Sequence, residues 1–285
     1  MSIKQELKTK DELDYIEVSN DVSKIKIALQ GAHIFVFRVK GKTPLLFLSD
    51  TSHFTVGKAI RGGVPICWPW FGVHTSDTSL PNHGFARTSI WTHVSTEEIN
   101  ENRTKIILAL ESSEETLKLW PYLFELQLEI IISDKLELSL TTTNKGLEPF
   151  TITQALHTYL LINNISTACV NGLAQTKYYD KLTDTYNNPQ KGKLCFHSEV
   201  DRVYENVTKP LNVEDIEVQT IGSNTVVVWN PGEGFKNNFS DLSEYETMIC
   251  IESANTLNDE VTVESEASYT LKTILTQTNT LFKCR

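Results

Sequence analysis

FELQLEIIISDKLELSLTTTN, residues 124–144, alternates apolar and polar side chains in two successive runs. Leucine or isoleucine stands at 126, 128, 130 and 132, then leucine at 136, 138 and 140. A period of two places each set on one face of an extended chain, and Ser133-Asp134 between the runs is turn chemistry. The stretch therefore predicts an antiparallel hairpin with one buried face.

The same spacing recurs in KIKIAL (24–29), where isoleucines alternate with lysines. HIFVFRV (33–39), TKIILAL (104–110), PFTITQALHTYLLI (149–162), NTVVVWN (224–230), ETMICIE (246–252) and YTLKTIL (269–275) are further strand candidates, rich in β-branched and aromatic residues. Long amphipathic helices are scarce. Strands joined by turn residues with few helical crossovers imply an all-β, mostly antiparallel sandwich or barrel. No repeat, low-complexity tract or Gly/Pro/Ser-rich linker divides the 285 residues, so one domain, 1–285, is expected. The polar stretch DKLTDTYNNPQKGK (180–193) reads as a loop excursion.

A formal net charge of −10 argues against nucleic acid or an anionic membrane as partner, because the long-range field repels phosphate. Locally gathered arginines can still hold one small anion. The five cysteines (67, 169, 195, 250, 284) are widely spaced, odd in number and free of any C-x-x-C. Reduced thiols in a cytoplasmic protein are the expectation. The N-terminal MSIKQELKTKDELDYIEV has no apolar core of a secretory signal, and no apolar stretch is long enough to span a bilayer.

RGGVPICWPWFG (61–72) cannot be mid-helix or a central strand, because Pro65 and Pro69 fix φ and lack a donor. Gly62 and Gly63 allow backbone conformations or approaches closed to a side chain. Trp68, Trp70 and Phe71 could plug one end of a sandwich or offer flat faces to a sugar ring. NHGFAR (82–87) adds a tight backbone at Gly84 and a second arginine; Arg61 and Arg87 together would suit a phosphate or carboxylate.

If residues 151–161 are one strand, His157 shares a face with Thr151, Thr153, Ala155 and Tyr159, away from Ile152, Leu156 and Leu160. This predicts a solvated surface around His157. Glu252 likewise shares a face with Met248 and Cys250, opposite Ile249 and Ile251, as a rim carboxylate or a placed acid. There is no G-x-S-x-G, H-E-x-x-H or P-loop, and no His/Cys zinc spacing.

GKAIRGGVPICWPWFG (57–72), PNHGFAR (81–87), ALHTYL (155–160), DRVYEN (201–206), VVWNPG (227–232) and MICIES (248–253) resemble, in this order, the glucose-6-phosphate 1-epimerases. These hexose-6-phosphate mutarotases lie within the aldose 1-epimerase superfamily. The resemblance extends from about Gln30 to the C-terminal strand. It implies a galactose mutarotase-like β-supersandwich of large antiparallel sheets with few short helices and an open cleft. It also implies catalytic roles for His157 and Glu252, and sugar or phosphate binding by Arg61, His83, Arg87 and Asp201, with the aromatics of 68–71 shaping the pocket.

The implied reaction interconverts the α and β anomers of a hexose 6-phosphate, with no cofactor or metal required. The partner is a small sugar phosphate, and the protein is expected to be a monomer or weak homo-oligomer. Acid–base ring opening calls for an ionised Glu252 to take the O1 proton and a protonated His157 to supply the ring oxygen. A mutarotase of an unphosphorylated aldose, or a non-catalytic carbohydrate-binding protein on the same scaffold, are the alternatives. Two departures bear on sugar preference: Gly-Glu-Gly follows Pro231 where relatives often carry tryptophan, and uncharged Asn82 precedes His83.

Overall fold

A computed structural model describes residues 3–187 and 189–278. The hairpin read first is present: Phe124–Ile132 pairs antiparallel with Lys135–Asn144, with Ile132 opposite Leu136 across Ser133-Asp134. Leu126, Leu128, Ile130, Ile132, Leu136, Leu138 and Leu140 are each at most 1% exposed. A register slip of one residue would turn all of them outward, at about 1.5–3 kcal/mol apiece, so burial alone fixes this pairing.

The hairpin lies within a seven-stranded antiparallel sheet. Its neighbours are Ser268–Gln277 on one side and Arg103–Glu111 on the other. An eight-stranded sheet packs against it and carries, in order through its centre, Val200–Glu205, Thr225–Asn230, Met248–Asn255 and Gln154–Leu156. The alternation along Met248–Asn255 shows how the layers divide. Ile249 and Ile251 join the large core with Leu126, Leu128 and Leu138, whereas Met248 and Cys250 pack on the other face with Tyr159 and Trp229. A four-stranded N-terminal sheet runs from Lys4–Lys10 to His33–Val39. The all-β expectation is met. The single α-helix among the described residues, Glu114–Leu119, is one capped turn and a half, begun by a reciprocal Ser113–Thr116 capping box.

Three readings are corrected. Residues 149–162 do not form one strand but three short ones, Phe150–Ile152, Gln154–Leu156 and Tyr159–Leu161. At the second break the His157 N–H donates to the Pro65 carbonyl at 3.0 Å, and Tyr159 N–H to Gly63 O at 2.9 Å. The proline-rich segment supplies the acceptors that a straight ladder would have used. Residues 180–193 are not a plain loop either, since Thr185–Asn187 returns antiparallel on Tyr178–Asp180 at the edge of the large sheet. Finally, Cys169 and Cys195 are joined as a disulfide, overturning the reduced-thiol expectation for this pair. The short strands Cys169–Val170 and Leu194–Cys195 bring them face to face in register, a proximity invisible in their sequence separation of 26. Cys67 and Cys250 are free and buried, and Cys284 lies outside the described residues.

Candidate active site

The segment 61–72 runs along the edge of the eight-stranded sheet, where Ile66–Cys67 pairs with Gln154–Leu156, and its glycines admit backbone where a side chain would collide. Gly63 has φ +62°, and a Cβ there would sit 2.2 Å from Ile34 O. Gly84, with φ +72°, would place a Cβ 2.0 Å from Trp68 O, so the two motifs lock backbone to backbone. The neighbouring His33 Nε2 donates to Gly62 O at 2.9 Å and anchors the same turn. Burial pulls the His33 pKa down to about 3 despite that bond.

The aromatics of this segment divide. Trp68 is fully buried, donates from Nε1 to Thr142 Oγ1 at 3.0 Å, and packs on Phe85, Trp120 and Phe124. Trp70 is also buried and donates to Pro81 O. Both plug the core, which corrects the expectation that they shape a sugar pocket. Phe71 alone of the three lines a cleft, of about 350 Å3, on the open face of the eight-stranded sheet.

All six residues singled out from the sequence, Arg61, His83, Arg87, His157, Asp201 and Glu252, line this one cleft. Larger surface hollows of about 590 and 540 Å3 lie elsewhere, but no arginine or lysine lines either.

At the cleft floor, His157 Nε2 stands 3.4 Å from Glu252 Oε1. Strand parity brings them together: Glu252 lies in mid-strand opposite Val227, one row from Cys250, which pairs with Tyr159. Glu252 is 1% exposed, so it is a placed acid and not a rim residue. His157 keeps 12% side-chain exposure, stacked on Tyr159 at 4.9 Å and met edge-on by Trp229 at 6.0 Å. Aromatic rings surround it, not the hydroxylated, solvated face expected from the alternation. His157 Nδ1 and Glu252 Oε2 are buried without a hydrogen-bond partner.

Burial pushes the Glu252 carboxyl well above its usual range, with Lys181 opposing. Burial, together with the charges of His83, Arg87, Arg61 and Lys181, holds His157 well below its usual value. Both shifts run against the ionised Glu252 and protonated His157 that ring opening calls for. The physical reason is that a dry site favours the uncharged form of both groups.

Cations ring the mouth. Arg61 is braced by Asp241 at 3.2 Å, by the Tyr159 hydroxyl at 3.1 Å and by the Phe239 ring. Burial opposes its charge, but Tyr159 and Asp241 raise its pKa. Arg87 leaves the short 3-10 turn Ala86–Thr88 half-buried and donates to Asn82 O at 2.7 Å. Asn82 itself thus braces an arginine through its backbone. Among the described residues no carboxylate pairs with Arg87. His83, at φ +66°, accepts the Gly72 N–H on Nδ1, and burial plus Arg87 and Lys181 pulls it down to about 3. Asp201 lies opposite Trp229 and pairs with Lys181 at 3.3 Å; burial raises its pKa against that pairing.

Sequence reasoning missed Lys181, Trp229, Phe239 and Tyr159. The alternation of NTVVVWN already set Trp229 on the face of Val227. Nothing local marked Lys181, which enters the cleft only because the edge hairpin folds beside Asp201. The Gly-Glu-Gly after Pro231 begins a 3-10 turn, Glu233–Asn237, that borders the separate 540 Å3 hollow and not this cleft.

An antiparallel β-supersandwich with one cleft carrying a histidine, a glutamate and a ring of cations defines a mutarotase-like protein. A family model for aldose 1-epimerase matches residues 14–276, and the chain belongs to the aldose 1-epimerase family, which makes it an isomerase of the epimerase class. It is 36% identical over 253 residues, 86% of this chain and 84% of the other, to an Escherichia coli K12 protein provisionally named glucose-6-phosphate 1-epimerase. It superposes with a TM-score of 0.89 on the crystal structure of a provisionally assigned mutarotase from Salmonella typhimurium, at 31% identity over 95% of this chain and 92% of that one. A galactose mutarotase related enzyme from Lactobacillus acidophilus shares the fold at 14% identity, with a TM-score of 0.71 over 93% of this chain and 98% of that one.

Proposed function

We propose that this chain interconverts the α and β anomers of a hexose 6-phosphate, glucose 6-phosphate in the first instance, by acid–base opening and reclosure of the ring at His157 and Glu252. The observation that carries this reading is the 3.4 Å approach of Nε2 to Oε1 beneath a mouth lined by Arg61, Arg87 and Lys181.

Anomerisation moves two protons. O1–H must lose one as the ring oxygen gains one, giving the open aldehyde; rotation about C1–C2 then offers the other carbonyl face. Concerted transfer avoids a full alkoxide or oxonium charge, and each positioned acid or base contributes about 100- to 10,000-fold. A bound phosphate dianion favours an imidazolium nearby. Substrate entry would therefore draw the Glu252 proton to His157, leaving the carboxylate to take the O1 proton and the imidazolium to serve the ring oxygen. Phe71, Trp229 and Phe239 offer apolar faces to the sugar, and Asp201 offers an acceptor to its hydroxyls. Phosphate held by the cations positions the reacting ring through binding remote from it. These groups make one self-contained site within one domain.

Polarimetry or NMR exchange on freshly dissolved sugars tests the proposal. Equilibration of glucose 6-phosphate should be accelerated well beyond that of glucose. Equal acceleration would move the assignment to an unphosphorylated aldose, and binding without acceleration would make the chain a sugar-phosphate sensor.

A further inference from the structure

Beneath the cleft floor lies a third donor that proton transfer does not use. Cys250 lies two residues before Glu252 on the same strand, so its thiol emerges on the same face, fully buried and unoxidised. One donor atom each from His157, Cys250 and Glu252 lie within 4.8 Å of one another. A tetrahedral ion with nitrogen and oxygen ligands at about 2.0–2.1 Å and sulfur at about 2.3 Å spaces its ligand atoms by about 3.3–3.6 Å. The Nε2–Oε1 separation of 3.4 Å already matches, and the sulfur, which lies within 4.8 Å of its partners' donor atoms, has to close by up to about 1.5 Å.

Two buried polar atoms of the same cluster, His157 Nδ1 and Glu252 Oε2, have no hydrogen-bond partner in the protein. They are not the two atoms 3.4 Å apart, but a flip of the imidazole or a turn of the carboxyl would offer them to the same ion, and unsatisfied buried polar atoms are uncommon enough to point to such a group. Imidazole, thiolate and carboxylate with a fourth position open to the cleft make the donor set of an open zinc site. The sulfur selects a thiophilic ion over magnesium or calcium. The surrounding cations Arg61, Arg87 and Lys181 oppose a divalent ion, which keeps such binding reversible.

We propose that His157, Cys250 and Glu252 form an inhibitory site for a thiophilic divalent cation, zinc being the type case, which occupies the acid–base pair and blocks the sugar. The thiol proton and any proton on the Glu252 carboxyl leave to solvent as the metal–sulfur and metal–oxygen bonds form, and neutral His157 binds through a ring lone pair. Binding of the ion stands on the cluster alone; its inhibitory meaning rests on the mutarotase reading.

Cobalt(II) titrated into the full chain is the probe. One equivalent should bind with a thiolate-to-cobalt charge-transfer band and the intense visible bands of a four-coordinate centre. Zinc should displace the cobalt and slow anomerisation of glucose 6-phosphate, and saturating sugar phosphate should weaken cobalt binding. Cys250→Ser should remove the thiolate band and weaken cobalt binding at least about tenfold, while its metal-free turnover persists but loses zinc sensitivity. Cys250→Ala serves if the serine variant does not fold, and if neither folds, a wild-type thiolate band that saturating sugar phosphate fails to suppress overturns the site. A wild-type cobalt complex without a thiolate band overturns the site. So does a band that survives in Cys250→Ser, since Cys67 or Cys284 would then be the ligand. A cobalt–thiolate band in a protein that anomerises no hexose phosphate keeps the site and overturns its inhibitory role.

Discussion

Lys181 Nζ lies 3.3 Å from Asp201 Oδ1, joining the turn after Tyr178–Asp180 to the strand Val200–Glu205 at the cleft mouth. Both side chains are partly exposed, so the pair contributes little to stability, about 1 kcal/mol or less. Its position next to Phe71 and the arginines suits an ammonium that exchanges Asp201 for phosphate when substrate arrives. Lys181→Met should leave thermal stability nearly unchanged yet raise KM for glucose 6-phosphate about tenfold and flatten its salt dependence. An unchanged KM and salt profile would remove Lys181 from phosphate binding.

Glu252→Gln keeps size and His157→Asn leaves a smaller polar side chain, and both remove proton transfer. Each should lower kcat about 100- to 10,000-fold, with glucose 6-phosphate binding by calorimetry retained. Anomerisation at the wild-type rate in either variant would end the acid–base assignment.

Arg87 presents a fork with no carboxylate partner among the described residues, so its charge is available to an anion. Arg87→Ala should raise KM for the hexose 6-phosphate about 10- to 100-fold and barely affect the free hexose. Parallel loss on both sugars would show that it does not read phosphate. Arg61 is a poorer probe, because removing it also strands Asp241 and Tyr159.

His33 gives a pH signature. Its folded pKa, about 3, lies below the unfolded value near 6.5. Its contribution is complete above pH 6.5 and is lost as pH falls toward about 3, since acid protonates the unfolded chain first. About 2 kcal/mol should be gone at pH 5. Glu252, raised by burial, acts in the opposite sense above pH 4.5, so the reading is the difference between wild type and His33→Gln. Denaturant melts at pH 5 and pH 8 should show a smaller acid loss in the variant. Equal losses would place the titration elsewhere.

The alternation at residues 124–144 and 248–252 was enough to set strand faces, because a side-chain period of two is local geometry. It put Glu252 beside Cys250 and His157 beside Tyr159 before any fold was known. The prolines at 65 and 69 and the glycines at 62, 63 and 84 likewise announced a stiff segment, because their φ restrictions belong to the residues themselves. The chain alone therefore determined the antiparallel class and the faces on which its chemistry could stand.

Tertiary structure alone decided which of those faces meet, because pairing depends on contacts between strands distant in sequence. It sent Trp68 and Trp70 into the core and left Phe71 for the cleft. It carried Lys181 to Asp201 through an edge hairpin and closed Cys169 onto Cys195. Above all it buried His157 and Glu252 together, and that shared dryness, which no spacing encodes, moves both groups toward their uncharged forms.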